Sequence, residues 1–456
     1  MIQRRGVWTA VLLALAGCNN PGQGTRTALA PTSKPGGPSS PSKPGDQPVV
    51  HTPPPVSFSL CDRGLPTSGM WKCDPVFADV NKDGHIDLTG IPRLGPGPKV
   101  WLGDGKGTWT ESSIGLKNPL GSCGGSLAFG DINGDGDLDM AAGDHCQGVY
   151  VYLGDGEGNW QAVTEQLYPT DIAKSGTEYV GVDGLSMGDV NGDGYLDLLG
   201  GASDAGGLTL YLGDGSASRW ARAETDLPRT GWANRVLLKD INADGALDIV
   251  ASRGEGPRVW LGDGRGGWTA SSKGLPTPLV EGLYWQISTG DVNEDGRMDL
   301  AFANWVDGPE VYFQEADGSW RKGPRVFPDL IGGGAGVNLG DIDLDGHLDV
   351  ACVGRLNRDV GLVYGVFVLL GNGRGDWQHI SSSTLPETGL AFTWGVALAD
   401  VNEDNVLDVT VTSGSVQVAT TGAAAAVEPT IPTKITVWCT RLVKADKSVL
   451  AVSLTP

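Results

Sequence analysis

The chain has 456 residues, with 54 Asp and Glu against 33 Lys and Arg, a net charge of −21 and an isoelectric point near 4.5. That balance argues against nucleic acid or anionic lipid as a partner. Only five His occur, no His, Cys and carboxylate set has zinc spacing, and no G-x-S-x-G, Walker or dinucleotide-binding glycine motif is found. The chain is therefore not read as an enzyme.

Residues 1–17 read as a targeting segment. Arg4 and Arg5 make a basic start, and Val7 to Ala16 form an apolar run too short to span a bilayer. The segment closes on Leu15-Ala16-Gly17-Cys18, which resembles the lipobox of bacterial lipoproteins. The resemblance implies cleavage before Cys18, a diacylglyceryl thioether on its sulfur, and a lipid anchor in the bacterial cell envelope as the only contact with a membrane. Asn19 stands where an Asp would retain such a protein at the inner membrane, which points to the outer membrane. Residues 18–55, rich in Pro, Gly, Ser and Thr, cannot bury a core and read as a disordered tether.

From residue 56 to 456 one motif organises the chain. D-[VI]-[ND]-x-D-[GN]-x-[ILMV]-D occurs seven times, starting at Asp79, Asp131, Asp189, Asp240, Asp291, Asp341 and Asp400. Oxygen side chains fall at positions 1, 3, 5 and 9, with a turn residue at 6. Calcium accepts six to eight oxygens in a flexible shell, so such spacing suits a loop folded around it. The candidate side-chain ligands are Asp79, Asn81, Asp83 and Asp87; Asp131, Asn133, Asp135 and Asp139; and Asp189, Asn191, Asp193 and Asp197. Four more sets follow: Asp240, Asn242, Asp244 and Asp248; Asp291, Asn293, Asp295 and Asp299; Asp341, Asp343, Asp345 and Asp349; Asp400, Asn402, Asp404 and Asp408. An EF-hand would need a Glu at position 12 and flanking helices; here the flanks are β-like. Up to seven structural calcium ions are expected, and they would offset much of the acidic surplus.

Loop starts are separated by 52, 58, 51, 51, 50 and 59 residues, a period that means a solenoid, a propeller or an array. Each repeat carries an apolar strand into the loop, a second strand out of it, a third ending in a Gly-rich hairpin, and a fourth opening on an aromatic residue. Trp109, Trp160, Trp220, Trp268, Trp320 and Trp377 hold that aromatic place and are expected to pack between blades. Four antiparallel strands per repeat is a propeller blade. The seventh repeat lacks its fourth strand, while Phe58 to Pro66 aligns with Trp268 to Pro276. The expected fold is all-β: a seven-bladed β-propeller of four-stranded antiparallel blades, closed by the N-terminal strand completing the last blade.

The loops resemble the FG-GAP, or VCBS-type, repeats of integrin α-subunit propellers and of many bacterial secreted proteins. The resemblance implies a calcium loop between the first and second strands of each blade, with the position-7 carbonyl as a further ligand. Those residues are His85, Asp137, Tyr195, Ala246, Arg297, His347 and Val406. Asn405 departs from the Gly of position 6, which predicts weaker binding in the last loop. The resemblance also implies a cell-surface adhesion or binding module for a protein or glycan partner. A glycan-specific lectin, or a polysaccharide lyase or other carbohydrate-active enzyme on the same propeller, is the alternative.

Trp71, Trp232, Trp285, Trp305 and Trp394 fall outside the repeat consensus, at connections expected opposite the calcium loops. They are candidate ligand residues for sugar or protein. The connections 171–184 and 355–365 are expected on the same face. An exported chain permits disulfides: Cys123 with Cys146 and Cys61 with Cys73 are the expected bridges, and Cys352 and Cys439 the expected buried thiols.

Overall fold

The computed structural model describes residues 56–118, 121–163, 181–202, 206–277, 284–330, 332–356, 364–382, 384–414 and 434–442. Residues 1–17, Cys18 and the 18–55 segment lie outside these, as do 171–180 and 357–363 of the two long connections.

The described strands form seven four-stranded antiparallel sheets. Blade two shows the pattern, with strands Gly125–Gly130, Asp139–Asp144, Gly148–Gly154 and Trp160–Ala162. Its second strand, Asp-Met-Ala-Ala-Gly-Asp, is buried along its whole length. A strand covered on both faces reads as a continuous apolar or small run, not as an alternation. The fourth strand is short and exposes Gln161 and Ala162 behind a buried Trp160. Short, polar outer strands discourage pairing with another chain. First strands of neighbouring blades touch one another, so they are innermost.

One glycine position explains how each hairpin closes. Gly103 and Gly154 end third strands, and a Cβ on either would lie 2.3 Å from the carbonyl oxygen of Ile86 or Leu138 in the same blade's loop. No side chain fits there.

The core is a set of layers between blades. One packs Val80, Ile91 and Val100 of blade one against Met140, Ala142 and Tyr152 of blade two. Another packs Leu88, Trp101 and Trp109 of blade one against Val401, Ile435 and Val437 of blade seven. The latter closes the ring. Blade seven is composite: Val56–Leu60 pairs antiparallel with Ile435–Leu442, in the register Val56↔Leu442 to Leu60↔Trp438. Trp109, Trp160 and Trp320 are buried as expected of inter-blade packing, while Trp220, Trp268 and Trp377 are half-buried.

The cysteines correct the expected pairing. Cys61 bonds Cys439 across the two strands that join the chain ends, not Cys73, and Cys439 is therefore not a free thiol. Cys73 and Cys352 are buried free thiols, and Cys123 bonds Cys146. The Cys61–Cys73 expectation followed closeness in sequence, whereas the strand register sets Ser59 opposite Cys439 and brings Cys61 beside it.

Candidate metal loops and the opposite end of the ring

All seven loops share three side-chain-to-backbone bonds, in which positions 1, 3 and 5 accept the N–H of positions 6, 5 and 7. In blade three, Asp189 accepts the Gly192 N–H at 2.7 Å and the Gly194 N–H at 2.9 Å on its two oxygens. Asn191 Oδ1 accepts from Asp193 N at 2.9 Å, and Asp193 Oδ1 accepts from Tyr195 N at 2.9 Å. These local bonds hold position 6 left-handed, at φ 88° in Gly194 and 65° in Asn405. Asn405 still donates its N–H to Asp400 at 2.8 Å, so the seventh loop keeps the shared shape.

Position 4 is left-handed too, which the residue types did not announce. Lys82, Ala243, Glu294, Leu344 and Glu403 all have φ between 57° and 61°. L-residues with side chains rarely adopt this region. Some of these residues reach the next blade. Lys82 pairs with Asp137, Glu294 with His347, and Glu403 with His85, each a position-4 side chain meeting position 7 of the following loop. The last of these spans the closing seam between blades seven and one.

Position 9 ties each blade together. Asp87, Asp139, Asp197, Asp248, Asp299, Asp349 and Asp408 have no exposed surface. In every blade one oxygen accepts the position-2 N–H, as from Val190 to Asp197 at 3.0 Å. The other accepts from the third strand: Gly103, Gly154, Gly213, Gly262, Gln314, Gly371 or Thr440. Burial pushes these carboxyls up against the pull of the backbone donors, to about 6 in Asp87 and Asp139 and about 7 in Asp299, Asp349 and Asp408. Asp197 and Asp248 are raised for the same reason. A carboxylate oxygen accepting one such bond keeps a second lone pair, although Asp349 Oδ2 also accepts from Asp343 N at 3.4 Å.

Blade six tests whether such a cation fits. Asp341, Asp343 and Asp345 bring carboxylate oxygens within 4.8 Å of one another. Asp343 is 1% exposed, and its Oδ2 has no hydrogen-bond partner. Burial, then the Asp345 charge, push its carboxyl up to about 6. A buried, unpaired anion oxygen beside two more carboxylates is the donor set of a hard cation.

The other end of the ring is built differently. Asp183 starts the first strand of blade three, 2% exposed, with Lys72 Nζ at 3.2 Å and His145 Nδ1 at 2.9 Å. Arg235 of blade four donates to Asp74 at 2.6 Å and to the Asp183 carbonyl at 3.2 Å. Burial would raise the Asp183 carboxyl, but the charges of His145 and Lys72 and their hydrogen bonds hold it far below the usual range. Residues 72–74 thereby join blades two, three, four and seven, since Gly125 N donates to Lys72 O at 2.8 Å and Thr412 Oγ1 to Cys73 O at 2.5 Å. No sequence signal pointed here, because the partners are far apart in the chain, from 38 residues between His145 and Asp183 to 161 between Asp74 and Arg235.

Of the irregular tryptophans, three come together at this end. Trp285 lies 5.7 Å from Trp305 and 5.5 Å from Trp394 between ring centroids, and Phe392 fills in at 4.7 Å from Trp305. Trp71 stands apart, edge-on to Trp101, and Trp232 is half-buried elsewhere. Trp71 and Trp285 are 5% exposed and Trp394 1%, while Trp232 and Trp305 are partly accessible. Beside the cluster, Trp285 Nε1, Tyr364 OH and Arg355 Nε are buried without hydrogen-bond partners.

The profile of the FG-GAP-like repeat matches residues 79–142, 131–200, 189–251, 240–302 and 291–352 in overlapping pairs of loops. The chain belongs to the FG-GAP-like repeat family. Two solved structures are similar to this family member, and the second shares its fold. One is a lectin of Agrocybe aegerita specific for non-reducing terminal N-acetylglucosamine: 18% identical, TM-score 0.45, covering 71% of this chain and 84% of its own. The other is BBS1N in complex with ARL6DN: 10% identical, TM-score 0.51, covering 86% and 98%. No curated protein matches the sequence.

Proposed function

We propose that the chain is a calcium-stabilised recognition module, exported and anchored by lipid at Cys18, whose FG-GAP-like propeller holds a protein or glycan partner at the end away from the loops. The observation that carries the calcium reading is the unpaired, buried Oδ2 of Asp343 among three converging carboxylates, in a backbone cradle shared by all seven loops. Side chains at positions 1, 3, 5 and 9 and the position-7 carbonyl would hold each ion. The ion would neutralise buried carboxylates and fix the strand-to-strand turn; its role is structural. Support for recognition comes from the half-buried Trp305, backed by Phe392 and Trp285, with unsatisfied donors nearby that a polar ligand could meet.

The test is thermal unfolding of the full chain in calcium and in chelator, with metal content by mass spectrometry. A clear calcium-dependent rise in Tm with about seven ions per chain is expected; no shift and no bound metal would sink the calcium reading. For recognition, binding to a glycan array and to surface proteins should weaken in Trp305→Ala while Tm holds. Unchanged binding would remove this end from consideration.

A further inference from the structure

We propose that the seven loops fill with cations in a fixed order set by two side chains on neighbouring blades: the loop of blade six first, the loop of blade five last. The proposal rests on the calcium reading and gives it an internal regulation.

Six loops carry Asn at position 3, and the blade-six loop alone carries Asp, at Asp343. In blades one to four the Asn amide donates to the position-5 carboxylate, at 2.7 to 2.9 Å, so one oxygen of Asp83, Asp135, Asp193 and Asp244 already has a donor. Asp343 has no such proton to give. It adds a fourth carboxylate to Asp341, Asp345 and Asp349; its Oδ2 is buried and unpartnered, and its carboxylate converges with those of Asp341 and Asp345. Like charges at this separation repel unless a cation stands between them. Ligand charge count is a main control on calcium affinity, so this loop has the strongest demand.

Blade five is the opposite case. Arg297, at position 7, places its guanidinium on the Asp295 carboxylate and anchors its Nε to the Gln314 carbonyl at 2.7 Å. The protein thus supplies a positive charge to a ligand oxygen of that loop. An incoming ion must displace the guanidinium or share the carboxylate with it, and either weakens binding. Arg297 also lines a shallow cleft of about 180 Å³ with Asp240, Asn242 and Asp291, which gives the displaced side chain room.

The experiment is a calorimetric calcium titration of the chelator-stripped full chain, wild type against Asp343→Asn and Arg297→Ala. Asp343→Asn installs the residue the six sibling loops already have, so folding is not at risk. It should weaken the tightest binding event roughly tenfold and leave the total number of ions unchanged. Arg297→Ala should tighten the weakest event and leave the tightest alone. If the wild type takes up calcium but its tightest event survives Asp343→Asn and is lost in Asp193→Ala, the order is wrong and the calcium reading stands. If the wild type takes up no calcium, both fall.

Discussion

Blade three buries a carboxylate at each end, and the two are neutralised in opposite ways. Asp183, at the start of the first strand, sits against Lys72 and His145 and is held strongly acidic by them. Asp197, at the start of the second strand, receives only backbone N–H groups, and burial raises its carboxyl. Buried Asp183 is paired with cations of the protein itself, whereas buried Asp197 is held by backbone donors alone. A buried charge must be paired or it shifts toward neutrality, and this molecule shows both outcomes on one hairpin.

The most severe way to break the contrast is to remove the internally paired acid. Asp183→Ala leaves Lys72 buried without its carboxylate and should cost about 3–5 kcal/mol, equally in calcium and in chelator, as read by denaturant unfolding. Equal stability to wild type would mean the cluster is not what fastens residues 72–74 to the ring. A smaller effect is expected at the loop end. Asp193→Ala should lose one calcium per chain and lower Tm by about 2 °C more in calcium than in chelator. Full calcium occupancy in that variant would refute the ligand assignment.

The smallest effect is in pH, and its sign differs between the two ends. The position-9 carboxyls are raised above the ordinary value near 3.9, to about 6 or 7 in five of them. The folded state therefore binds more protons than the unfolded between those values. What these groups contribute is present below about pH 4 and lost as pH rises through 6 to 7. Asp183 is depressed, so its contribution is present above about pH 4 and lost as pH falls below it. Chelated protein should thus lose stability from pH 4 to 7, and calcium should flatten that limb. Asp183→Asn should lessen the decline below pH 4 and leave the upper limb alone. A chelated protein whose stability rises from pH 4 to 7 would reverse the loop argument.

Much of the fold was legible because each blade repeats the same instructions. Asp131 to Asp139 marks a turn between two strands, Trp160 marks a fourth strand, and seven copies of the loop count the blades. The missing fourth strand after Ile435–Leu442 told where the chain ends meet. What was not legible is what does not repeat. Lys72, Asp74, His145, Asp183 and Arg235 carry no motif and are gathered only by the closed ring. Trp285 and Trp394 broke the consensus as a ligand residue would, yet they broke it to pack against each other. The left-handed Lys82, Glu294 and Glu403 were hidden because the local Asx bonds, not the residue's own preference, set that backbone.

The composite seventh blade also decides how the molecule carries load. Tension applied through residues before Val56 enters at an outer strand, where the pairs Val56↔Leu442 to Leu60↔Trp438 could be unzipped one at a time. Peeling can run only as far as Cys61, because its bond to Cys439 hands the force to Ile435–Leu442. That strand is flanked on its other side by Asp408–Ser413, and Thr440 is bonded to the Asp408 carboxylate at 2.7 Å. A pull applied before Val56 is therefore borne covalently by the middle of a blade, and the ring stays shut.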